Sequence, residues 1–113
     1  MASRKLTNYL RTARRRAGFS QDEIAFLLGV HDGTKLCRYE QFRRVPLLKT
    51  ALALEIVFAS PARELFAGTY EQLERDIRKR ARRLIRKLER APRTRSTDAK
   101  LELLRAITCK SNP

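Results

Sequence analysis

Residues 18 to 46 constrain the fold more than any other stretch, because their turns and helix ends are marked by residue types with specific backbone roles. Ser20 with Glu23 three positions on has the capping-box spacing, in which two side chains satisfy two amide donors that a helix start leaves open. The spacing predicts a helix from Gln21. Ile24, Ala25, Leu27 and Leu28 give that helix one apolar face, and Gly29 supplies the freedom a sharp turn needs. Asp32 is placed to cap a second helix with Leu36 and Tyr39 as its buried face. Thr34, Lys35 and Arg38 are then left pointing outward.

Helical periodicity continues on both sides. Residues 6–17 read as a first helix, with Leu6, Tyr9, Leu10 and Ala13 on one face, Arg11, Arg14, Arg15 and Arg16 around the rest, and Gly18 at its end. Pro46 suits a helix start, where a missing amide proton is harmless. From Leu47 to Phe58 the helix it opens is apolar most of the way round and is expected to be central to the core. Ser60 and Pro61, with Glu64 behind, open a short fifth helix; Leu65 and Phe66 would close the core and Gly68 would stop the helix. Phe26, Tyr39, Phe58 and Phe66 fit core spacing better than a stacking platform for single strands. Phe42 is the exception, a surface wedge or an anchor onto the fourth helix.

Across residues 69–90 the pattern changes. Tyr70, Leu73, Ile77, Ala81, Leu84 and Leu88 recur at alternating spacings of three and four, a coiled-coil-like seam on an otherwise basic helix. Residues 91–96 contain Pro92 and read as a linker. Thr97 or Asp98 would cap a short last helix with Leu101, Leu104 and Ile107 as its stripe, followed by a tail of Ser111, Asn112 and Pro113.

The chain has 113 residues, 42% of them hydrophobic, enough for a modest helical core. Its 26 basic and 12 acidic side chains give a net charge of +14, a field that attracts polyanions. Residues 1–68 carry 12 basic and 6 acidic side chains, residues 69–96 carry 11 and 4, and residues 97–113 carry 3 and 2. The excess lies in the motif segment and the helix after it. No run approaches the roughly 18 to 20 apolar residues of a membrane span, and the amino end lacks a secretory h-region, so the expected address is cytoplasmic. Cys37 and Cys109 are expected to be reduced thiols, Cys109 partly buried. His31 reads as a capping or phosphate-facing residue rather than a metal ligand. No nucleophile-histidine-acid set, paired carboxylate or Gly-rich phosphate loop points to catalysis, and no metal or cofactor is implied.

Gly18-Phe19-Ser20-Gln21, Ala25, Leu28-Gly29-Val30, Arg38-Tyr39-Glu40 and Pro46 together resemble the helix-turn-helix of the lambda-repressor/Cro (XRE) family, over residues 6 to 66. The chain departs from that pattern twice. One extra residue between Gly29 and Glu40 implies a lengthened turn at His31-Asp32-Gly33, and the glycine usual just after the recognition helix is Phe42 here. The resemblance implies a five-helix DNA-binding domain over residues 1–68 in the cytoplasm, associated with the nucleoid; with the long basic helix (69–90) and the linker, short helix and tail (91–113) read from the residue pattern, the expected fold is all-α.

The resemblance also implies double-stranded DNA as partner. By family position Gly33, Thr34, Lys35 and Arg38 would face base edges in the major groove, with Arg38 suited to a bidentate contact with guanine. Gln21 resembles the family glutamine that bonds the phosphate backbone and buttresses the recognition helix. Arg43 and Arg44 would reach flanking phosphates, fixing position rather than reading sequence. Arg14 and Arg15 are candidates for the same role.

Three uses of the basic helix stay open: a homodimer seam giving a twofold-symmetric reader, a cover folded back on the motif domain, or a resting surface on an anionic membrane, which a stripe with no tryptophan disfavours. An added electrostatic grip on DNA is compatible with the first two. Alternatives to an operator-binding regulator are an antitoxin-like or accessory factor that holds a protein partner through the C-terminal helices, and an RNA-binding protein.

Overall fold

The computed structural model describes residues 5–109, which form seven α-helices and no strand. They are α1 (Leu10–Ala17), α2 (Gln21–Leu28), α3 (Thr34–Glu40), α4 (Leu48–Phe58), α5 (Ala62–Leu65), α6 (Ala67–Glu89) and α7 (Arg95–Cys109). The tail of Ser111, Asn112 and Pro113 lies outside the described residues. Two compact units divide inside α6, the first ending at Tyr70 and the second beginning at Glu71. No helix among the described residues is long and apolar enough to cross a membrane.

In the first unit Leu10, Ile24, Leu36, Tyr39, Leu54 and Leu65 form the buried cluster, so each of α1 to α5 contributes at least one side chain. Full burial of such side chains is worth roughly 1.5–3 kcal/mol each. Ala13, Leu28, Val57, Phe58 and Phe66 pack around them.

The first helix starts at Leu10, four residues later than its periodicity suggests. Asn8 is the cause: its Oδ1 accepts from the Leu10 amide at 3.1 Å while its Nδ2 donates to the Tyr39 carbonyl at 2.9 Å. Such local side-chain bonds compete with helix formation. The segment before it is held by backbone bonds instead, from Tyr9 N to the Leu65 carbonyl and from Gly68 N to the Leu6 carbonyl. Gly68 therefore does not stop a helix; it lies in the first turn of α6. A Cβ there would collide with the Leu6 carbonyl, so glycine is what lets the strap and the helix approach.

The capping box forms as its spacing predicts, with Ser20 Oγ accepting from Glu23 N at 3.0 Å and Glu23 Oε1 accepting from Ser20 N at 2.8 Å. α4 touches α1, α2 and α5, as a central helix should, but it is covered on one side only. It begins at Leu48 rather than Pro46, and only Leu54 is fully buried, while Leu47, Leu48 and Ile56 are 75–80% exposed. Phe26, expected inside, is 81% exposed. At α5, Ser60 is not the cap. The Ala62 amide donates to Glu55 Oε1 at 2.8 Å.

In the second unit, Arg78, Ala81, Thr97 and Leu101 are buried. The lower-exposure face of α6 is the row Glu74, Arg78, Ala81, Ile85 and Leu88, with Arg78 Nη2 donating to Glu74 Oε2 at 3.1 Å. This row is displaced from the expected seam, of which Tyr70, Leu73, Ile77 and Leu84 remain more than 40% exposed. The last helix is 15 residues long and starts before Thr97, because Thr94 Oγ1 accepts from the Thr97 amide at 3.1 Å and Thr97 Oγ1 donates to the Pro92 carbonyl at 3.2 Å. Arg105 Nη2 donates to Glu89 Oε2 at 3.0 Å, joining α7 to α6. Cys109 is exposed rather than partly buried, and both thiols are free.

Candidate nucleic-acid interface

Two hydrogen bonds and one close approach set the start of α3. Gly33 N donates to Asp22 Oδ1 at 2.9 Å, and Thr34 N donates to Asp32 Oδ1 at 2.9 Å. The second bond holds the Asp32 carboxyl below its ordinary range, with His31 and Arg38 adding in the same direction. A Cβ on Gly33 would lie 2.8 Å from Gln21 Cβ, so the first turn of α3 rests directly on the first turn of α2. Gly33 is buried there. Its close approach is to its own chain, which corrects its assignment to a base-facing position.

From this start α3 divides cleanly. Leu36 and Tyr39 are buried, Cys37 is half-buried, and Thr34, Lys35 and Arg38 are exposed. The three side chains share the open face, with the Thr34 hydroxyl also bonded to the Asp32 carboxyl.

The orientation of that face is set by a buried acid. Glu40, at the end of α3, has a side chain only 3% exposed. Its Oε2 accepts from Arg14 Nε at 2.7 Å, and its Oε1 accepts from Arg14 Nη2 and from Gln21 Nε2, each at 3.1 Å. Arg14 Nη1 further donates to the Phe19 carbonyl at 3.1 Å. The hydrogen bond to Glu40 raises the Arg14 pKa above its ordinary value. One carboxylate thereby ties α1 and the first residue of α2 to the last residue of α3. Arg14 is a structural cation at 13% exposure, which removes it from the phosphate contacts expected of it. Gln21 holds the base of α3 through Glu40.

Glu40 was missed in the sequence, although a signal was present. It stands one residue after Tyr39 and four after Leu36, on the side of α3 that the apolar residues define, and an acid there needs a buried cation. Asp22 had no such signal, since an acid in the first turn of a helix is ordinary.

The remaining charges are distributed unequally. All six acids within residues 1–68 accept hydrogen bonds from the chain itself: Asp22, Glu23, Asp32, Glu40, Glu55 and Glu64. The side chains of Arg11, Arg15, Arg16, Lys35, Arg38, Arg43 and Arg44 are exposed and form no hydrogen bond or ion pair among the described residues. A groove lined by Arg11, Arg15, Ser20, Cys37 and Gln41 opens beside the Arg14–Glu40–Gln21 cluster. Arg43 and Arg44 follow α3 directly, and the Arg43 amide donates to the Arg38 carbonyl at 3.0 Å.

Phe42 has φ of +62°, in the left-handed region. That conformation explains why a glycine suits this position. A residue with a Cβ takes it at a cost of roughly 1–2 kcal/mol. The phenyl ring is half exposed and lines a small cavity with Pro46, Ala51 and Phe66, so it anchors the chain where it turns toward α4. His31 is exposed in the turn, and no group of three or more potential metal ligands forms among the described residues.

No protein-family model matches this chain, and neither does any curated protein or solved structure.

Proposed function

We propose that the first unit is a five-helix DNA-binding module of the lambda-repressor/Cro (XRE) type, and that the chain is a sequence-specific transcriptional regulator acting as a homodimer on an operator. α2 and α3 are the helix-turn-helix, and α3 is the recognition helix. Thr34, Lys35 and Arg38 read base edges; Arg43, Arg44 and Arg15 hold flanking phosphates, with Arg11 beside them. The observation that carries this reading is the exposed Thr34–Lys35–Arg38 face on a helix whose other side is locked by the buried Arg14–Glu40 pair. A base-reading helix must be rigid before it docks, because a specific contact made by a mobile helix loses the entropy of ordering it. The chain performs no catalysis in this reading.

Selection of bound duplexes from a random library tests it. An enriched inverted repeat is the expected result; a bound pool no different from the input would remove sequence-specific recognition.

A second reading, a factor whose chief partner is another protein, is favoured by the apolar side chains left uncovered on α2 and α4, notably Phe26, Leu48 and Ile56. A stoichiometric partner that is recovered with the chain and lost on Ile56→Ser would favour it over the first.

A further inference from the structure

α6 carries a charge pattern that packing does not explain. Seven of the eleven residues from 78 to 88 are basic and none is acidic. At 3.6 residues per turn the helix surface separates into four sectors, one of which, between an apolar stripe and the row that starts at Arg75, carries Asp76 with the exposed Arg80, Arg83 and Lys87. Glu74, Arg78, Ala81, Ile85 and Leu88 form the buried or half-buried side, and Tyr70, Leu73, Ile77 and Leu84 form an exposed apolar stripe next to it. Across the helix from that stripe, Arg75, Lys79, Arg82 and Arg86 stand in one row and all are exposed. Their spacings of four, three and four residues put successive cations about 4.5–6 Å apart along the axis, in a row about 16 Å long.

Little in the chain neutralises this row. Arg75 Nη2 donates to the uncharged Gln72 at 2.7 Å, and the side chains of Lys79, Arg82 and Arg86 form no hydrogen bond or ion pair among the described residues. A groove lined by Gln72, Arg75, Asp76, Lys79 and Arg82 runs beside them. Like charges four residues apart, such as Arg75 with Lys79 and Arg82 with Arg86, weaken a helix, whereas alternating signs at that spacing would strengthen it. The sequence keeps the repulsive arrangement, and a bound polyanion would relieve it.

We propose that the row Arg75, Lys79, Arg82 and Arg86 is a phosphate track that grips duplex DNA without regard to sequence, separate from the base-reading face of α3. The proposal rests on the duplex-binding reading for the identity of the polyanion. A duplex presents one negative charge per about 1.7 Å of its axis, so a straight row of four cations meets several phosphates at once. An anionic bilayer fits less well. A helix resting on lipid by its apolar stripe would hold these four cations on the far side, away from the headgroups.

The test uses the full chain and a random-sequence duplex, with affinity followed by fluorescence anisotropy across a salt series. Replacing the four residues together (Arg75→Gln, Lys79→Gln, Arg82→Gln, Arg86→Gln) should flatten the slope of log affinity against log salt by about 3.6, given about 0.9 per phosphate contact. Arg82→Gln alone should flatten it by about 0.9, which keeps the test valid should the fourfold variant lose helix content by circular dichroism. Slopes equal to that of the unaltered chain would overturn the track. So would unchanged DNA slopes accompanied by lost sedimentation with phosphatidylserine vesicles, an outcome that assigns the row to lipid. Arg38→Ala serves as the separate arm. Loss of site preference there with no change on Arg82→Gln refutes the track alone, and the opposite pattern refutes base reading by α3 while the track stands.

Discussion

Glu40 is the residue on which the geometry of the first unit turns. A carboxylate 3% exposed is tolerable only with its partners in place, and Arg14 supplies two of its three side-chain hydrogen bonds. Removing one partner of a buried pair costs about 3–5 kcal/mol, while replacing both with apolar residues is often close to neutral. Arg14→Met should therefore destabilise the protein by about that amount in urea melts, and adding Glu40→Leu should recover most of the loss. Equal losses in the single and double variants would mean that the pair does not act as a unit. A smaller effect is expected at Ala59, the left-handed residue that ends α4 with φ of +49°. Glycine adopts this conformation without the penalty of a Cβ, so Ala59→Gly should raise stability by about 0.5–1 kcal/mol. The same change at Ala53, inside α4, should lower it by about 1 kcal/mol, so thermal midpoints that moved in the same direction would contradict the assignment.

At the scale of elements, what could be read in advance depended on whether the deciding interaction was local. The capping box at Ser20 and Glu23 and the apolar face of α3 involve residues three or four apart, and both were legible. The starts of α1 and α6 were not: the Asn8 bond to the Leu10 amide is local, but the side chain that makes it is also held by the Tyr39 carbonyl thirty-one residues away, and Gly68 meets the Leu6 backbone from across the unit. Composition showed that α2 and α4 are apolar but not which sides would be covered, so Phe26 and Ile56 were placed inside when they face outward. In the candidate interface, the exposure of Lys35 and Arg38 follows from helical phase alone, whereas the burial of Arg14 and Gly33 does not, because their partners lie on other helices. The division of labour among the exposed residues is open to measurement. Arg38→Ala should cost about 1–3 kcal/mol on the selected site with little loss on random DNA. Arg43→Ala should weaken binding to both and flatten the salt slope by about 1. Equal losses on both DNAs for Arg38→Ala would refute base reading by that side chain.

For the molecule as a whole the open question is how two recognition helices would be related in space. A dimer that reads an inverted repeat needs an interface outside α3, and an isologous contact brings the same surface of both chains together. Among the described residues, uncovered apolar surfaces include the stripe of Tyr70, Leu73, Ile77 and Leu84 on α6, the group on α4 with Leu48, Leu52 and Ile56, and Phe26 with Leu27 on α2. The α6 stripe has coiled-coil spacing, with Ala81 buried and Leu88 half-buried on its flank. Leu73 and Leu84 are 53% and 43% exposed, so a charge at either should leave the fold of the single chain intact. Leu73→Asp with Leu84→Asp should convert a dimer to monomers in sedimentation equilibrium, and the inverted repeat recovered by selection should shrink to a half-site. A dimer that survived these changes but fell apart on Ile56→Asp would move the twofold axis to α4, and with it the expected distance between half-sites. The α3 contacts would be the same in either assembly, because Glu40 fixes that helix within one chain.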